Sequence, residues 1–103
     1  MRGSRRFDGL ERRAIHGIEV PVAEAFRSRL LGLAFLDDEE AGDGLLIPRC
    51  RGVHTWGMRF RIHVFFLGRE GEAMRVVEAV PVGRLLYEPE AEAVLEVPAR
   101  LRG

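Results

Sequence analysis

The stretch Cys50-x3-His54-x3-Met58-x4-His63 holds the donor types that suit a soft metal such as Cu(I). On an unbroken strand Cys50, His54 and Met58 would share a face, but His63 has the opposite parity and Gly57 threatens the continuity. Met58 also suits a core position, and a free cysteine behaves as a small buried hydrophobe, so no metal is expected. Cys50 and His54 would lie roughly 13 Å apart on an extended strand, too far for a histidine-activated thiolate. The chain has no Ser-His-Asp order, no carboxylate pair with separable roles and no phosphate-cradling glycine loop. The chemistry on offer is therefore recognition. Trp56 and Tyr87 can stack on a ring, while Arg59 and His54 can donate charge-assisted hydrogen bonds.

Charge sharpens this reading. Sixteen arginines balance sixteen acids, and the sequence has no lysine. A net charge near zero argues against nucleic-acid binding. The distribution is uneven: residues 44–69 carry five arginines and no acid. That basic island reads either as an anion site or as a surface that pairs with the acidic C-terminal third. Arg29 would fall on the apolar face of a helix, beside Phe26, Leu30 and Leu33, where a guanidinium is costly unless paired. Glu96 lies opposite Ala93, Leu95 and Val97 on a strand. The expectation is that Arg29 and Glu96, with Trp56 and Tyr87 nearby, rim one concave pocket. The alternative is that Arg29 lays its stem on the core and sends its head to water.

The elements that must position these residues are short. The chain has 103 residues, enough for one domain. Residues 1–13 read as a flexible, arginine-rich arm, and residues 14–103 as a single β-rich domain. Alternation predicts a strand over 14–20, and Val22, Ala25, Phe26, Leu30 and Leu33 predict a helix over about 22–31. The Asp37–Glu40 run reads as an acidic loop without calcium-loop spacing. Strand-like composition follows at 45–48, 51–56, 59–67, 73–80 and 93–97, with a hairpin signal at 68–71. Phe60, Ile62, Val64 and Phe66 share one face. The expected fold is mainly β: a small sandwich or half-open barrel of six to seven short strands, with one short helix packed on it.

Several of these segments together resemble a known family. They are Ala25-x3-Arg29-x2-Gly32-Leu33, His54-Thr55-Trp56-Gly57-Met58-Arg59-Phe60, Val64-Phe65-Phe66-Leu67, Tyr87 and Val94-Leu95-Glu96-Val97. In order and spacing they resemble the domain of unknown function 192 family over about residues 18–99. The resemblance implies a small all-β fold with a short helix, and no settled activity or cofactor. The family's aspartate in its L-D-I strand falls at His63 here, and its methionine after Gly-Leu falls at Ala34.

The expected function is that of a noncatalytic binding module. Its ligand-binding residues are Arg29, His54, Trp56, Arg59, Tyr87 and Glu96, and its ligand is small and anionic or sugar-like. The alternative is an interaction module that pairs with a protein partner or a second copy through a sheet edge. A hydrolase with a histidine base is a further alternative. No strictly apolar run is longer than Val64–Leu67, so no membrane span is expected. The single cysteine and the lack of a secretory signal suggest a cytoplasmic location.

Overall fold

The computed structural model describes residues 5–100, with the backbone alone at residues 5 and 26–28. The single strand expected over 14–20 is a hairpin instead. β1 (Arg12–Ile15) and β2 (Ile18–Pro21) pair antiparallel, with Ile15 opposite Ile18. His16 and Gly17 make the turn at φ 49° and 84°. Two left-handed residues match the twist of the flanking strands, which is why such short loops favour them. The turn escaped the pattern because its residues continue the alternation. Gly17→Ala places its methyl in open space but holds an L-residue at positive φ. It should cost about 1 kcal/mol, read as a lower melting temperature. Of the expected arm, Arg12 and Arg13 belong to β1, Arg5–Phe7 form a 3-10 turn, and Phe7 packs against the core. Residues 1–4 lie outside the described ones.

The rest of the chain runs α1 (Phe26–Leu31), α2 (Asp38–Ala41), β3 (Leu45–Pro48), β4 (Gly52–His54), β5 (Ile62–Leu67), β6 (Ala73–Val80), β7 (Leu85–Tyr87) and β8 (Ala93–Pro98). The helix begins later than periodicity predicts. Val22 bridges to Leu46, and the Ala23 N–H donates to the Leu46 carbonyl at 2.8 Å, so this segment stays extended. The acidic run is a helical turn rather than a loop, because the Glu40 carboxylate accepts from the Asp37 N–H at 2.9 Å, as in a capping box. The strand expected over 51–56 stops at His54. The Met58 N–H turns back to the Thr55 carbonyl, and Gly57 takes φ 79°. Cys50, His54 and Met58 therefore do not share one strand face.

The central sheet is antiparallel in the order β3-β8-β5-β6. Its side chains alternate between two cores. Leu45, Ile47, Ile62, Val64, Phe66 and Val94 enter the larger one, with Leu33, Ala34, Leu36, Val53 and Met58 packed against them. Leu46, Leu67 and Leu95 face the other way and meet Val20 and Val22 of the hairpin segment. Because both faces of β3, β5 and β8 are largely covered, these strands read as near-continuous apolar runs, whereas the edge strand β6 is mostly exposed. β4 and β7 form a separate pair on the larger-core side. Among the described residues there are eight strands in three sheets and two short helices. The fold is mainly β, consistent with a small sandwich, and no barrel closes among the described residues. No described helix is long and apolar enough to cross a membrane.

Candidate functional site

A cavity of about 180 Å³ is lined by α1, by the β4–β7 pair and by β8. Leu30, Trp56 and Leu85 stand at its rim, all more than half exposed, while Glu96 lies deep at 2% exposure. Arg29, Val53 and His54 complete the wall.

Glu96 sits where the alternation of β8 directs it, into the larger core. Its register partners are Leu45 and Val64, both fully buried. The sequence pattern had set Glu96 opposite the apolar side of β8, but both sides are buried. One carboxylate oxygen accepts from the Leu33 N–H at 3.1 Å. Burial pushes the Glu96 pKa up to about 7, against the pull of the Leu33 N–H and the charge of Arg6. Glycine makes the niche possible: a Cβ on Gly32 would stand 2.6 Å from the Glu96 Oε1.

His54 Nε2 lies 2.9 Å from the Leu30 carbonyl. A carbonyl only accepts, so Nε2 carries the proton and a neutral ring leaves Nδ1 as an acceptor. Nδ1 is buried without a partner. The ring stacks on Trp56 at 5.6 Å between centroids. Arg29 donates from its terminal nitrogen to the Arg49 carbonyl, and its Nε is buried without a partner. The guanidinium thus takes a backbone carbonyl as its bonded partner, although Arg29 and Glu96 line the same cavity.

Four of the six expected site residues, Arg29, His54, Trp56 and Glu96, meet in this cavity. Two do not. Arg59 pairs with Asp37 of the α2 cap at 2.8 Å, an exposed ion pair worth about 0–1 kcal/mol. Tyr87 lines a separate, larger depression of about 490 Å³ with Arg49 and Arg51. The basic island is also partly neutralised, and by acids that precede it in the chain rather than by the C-terminal third. Arg49 meets Glu24 at 3.0 Å and Arg59 meets Asp37. The charged side chains lining the cavity are Arg29 and Glu96, so its wall is not basic. Cys50 donates to the Gly52 carbonyl at 3.1 Å, and burial raises its pKa. Among the described residues no three His, Cys, Asp or Glu side chains gather to hold a metal.

Sequence reasoning missed Leu85 as a rim residue, and Thr55 as the residue that positions its neighbours. Thr55 is 1% exposed. Its hydroxyl donates to the Pro81 carbonyl and accepts from the Arg84 N–H, both at 2.7 Å. This ties the 81–84 loop to the segment that carries His54 and Trp56. The only hint was a hydroxyl between two aromatic rings, since its partners lie 26 and 29 residues away.

These features define a small antiparallel β module with a side cavity whose deepest polar group is a carboxyl. The chain belongs to the DUF192 family, described as Uncharacterized ACR, whose model matches residues 9–101. It is also similar in fold to a protein of unknown function from Novosphingobium aromaticivorans, known from its crystal structure. The TM-score is 0.63 at 18% identity, over 88% of this chain and 83% of that one. No curated protein is a significant match.

Proposed function

We propose that the protein is a noncatalytic binding module that takes a small anionic or sugar-like molecule into this cavity. The observation that carries the reading is Glu96, a carboxyl 2% exposed in the wall of a cavity whose rim is apolar and open. Burying such a group costs several kcal/mol, and carboxyls with strongly displaced pKa values in clefts mark functional sites. The volume of about 180 Å³ is below the roughly 300–1,000 Å³ of drug-sized sites and suits a single ring. Trp56 offers a stacking face, and Arg29 and Glu96 offer polar contacts.

The test is a thermal-shift screen with phosphate, acetate and simple monosaccharides. A ligand at a hundredfold excess over its Kd should stabilise the fold by about 2.7 kcal/mol. Trp56→Ala should abolish that shift, and Arg59→Ala, which lies off the cavity, should leave it unchanged. No shift with any compound counts against the reading.

The exposed cluster Leu30, Phe35, Trp56 and Leu85 favours a second reading, an interaction module whose apolar rim meets a protein surface or a second copy. Light scattering after size exclusion separates the two. A monomer without a co-purifying partner removes the second.

A further inference from the structure

We infer that the cavity selects a neutral, hydroxylated ring over an anion, with Glu96 as the acceptor that anchors its hydroxyl groups. This rests on the reading of the cavity as a binding site and names what enters it.

The polar lining sets what the cavity can hold. His54 Nδ1 and Arg29 Nε are closed off from solvent, and so from a ligand in the cavity. That leaves the Glu96 carboxylate as the acceptor and the Arg29 guanidinium, already bonded to the Arg49 carbonyl, as the donor beside it. A carboxylate or phosphate can engage Arg29, but it brings negative charge against an ionised Glu96. An ammonium only donates. It can engage Glu96, but it meets the Arg29 guanidinium with like charge. A hydroxyl donates and accepts without charge, so two neighbouring hydroxyls on one ring can serve Glu96 and Arg29 together.

The rest of the cavity fits the same ligand. Leu30, Leu85 and the open part of the Trp56 indole are apolar and exposed, as the C–H face of a saturated ring requires. The volume of about 180 Å³ holds one ring and no chain of rings.

The charged and titratable groups around Glu96 are Arg6 from the 3-10 turn, Arg29 from α1, Cys50 before β4 and His54 on β4. An ionised Glu96 accepts two hydroxyl donors and repels an anion, whereas a protonated one loses an acceptor and the repulsion together. Neutral-ring binding should therefore strengthen, and anion binding weaken, as pH rises through the Glu96 pKa of about 7.

Calorimetric titration tests this with glucose, galactose, mannose and myo-inositol against acetate, phosphate and glucuronate. Each is run about one unit below and one unit above that pKa. The expected result is a neutral ring that binds up to tenfold more tightly at the higher pH and better than any of the anions. Glu96→Gln should weaken it by about tenfold or more and flatten the pH profile, which separates Glu96 from His54. Should that variant not fold, the wild-type profile decides alone. An anion that binds better than every neutral ring overturns this inference and leaves the binding-module reading standing. A neutral ring with a flat pH profile overturns the role of Glu96. No binding by either class overturns both.

Discussion

Glu96→Gln should melt higher than the wild-type protein at every pH above 7, and the difference should vanish in acid. The Glu96 carboxyl has an ordinary pKa near 4.5, which burial raises to about 7. Between these values the folded chain holds a proton that the unfolded chain has released. Stability is therefore complete below the lower value and falls as pH rises through the upper one. At about 1.4 kcal/mol per unit, the loss approaches 3 kcal/mol by neutral pH. Glutamine keeps an oxygen for the Leu33 N–H and carries no charge, so it escapes this loss. In a domain of 103 residues a gain of that size raises the melting temperature by on the order of 10 °C. Urea unfolding across this pH range measures it. A wild-type profile flat between the two values would mean that the carboxyl is hydrated, and would remove the buried site. The same substitution should weaken binding, so stability and ligand affinity move in opposite directions. That is the expected mark of a strained functional group.

The second large effect concerns the other glycine beside Glu96. Gly44 precedes β3 at φ 141°, and a Cβ there would run into the Glu96 carbonyl oxygen of β8. That atom belongs to a sheet backbone, so relief requires β3 and β8 to part. Gly44→Ala should cost about 3 kcal/mol or more, from backbone strain and steric overlap together. The urea midpoint should drop with the slope unchanged. Gly42→Ala is the control two residues away. It has φ 63° and nothing within 4 Å, so only left-handed strain of about 1 kcal/mol applies. Equal losses at the two positions would show that β3 does not approach β8 this closely.

Much of the sheet is legible in the residues. Ile62, Val64 and Phe66 alternate cleanly, and the structure buries all three completely. Leu45-Leu46-Ile47 follows from a strand covered on both sides. The β1–β2 turn was hidden because His16 and Gly17 keep the period of the strands they separate. The acidic run was misread because its cap is formed by one of its own acids, Glu40. For the site, residue type directed attention to Trp56, His54 and Glu96, which line one cavity, since rings and charges stand out among apolar neighbours. Partner choice was not legible. Arg59 meets Asp37 across 22 residues and Arg49 meets Glu24 across 25, and no local pattern encodes either pairing. Tyr87 and Leu85 belong to the same three-residue strand, and only tertiary packing decides which of them lines the cavity.

The strand order has a consequence for synthesis. β8 lies between β3 and β5, yet the ribosome makes it after both. Until Ala93–Pro98 has emerged, β3 and β5 wait without the neighbour they share, and of this sheet only the β5–β6 hairpin can form. Pairings this distant in the chain close slowly. The four-stranded sheet is therefore completed only when nearly the whole domain is outside the exit tunnel, and chaperone protection matters most in that interval.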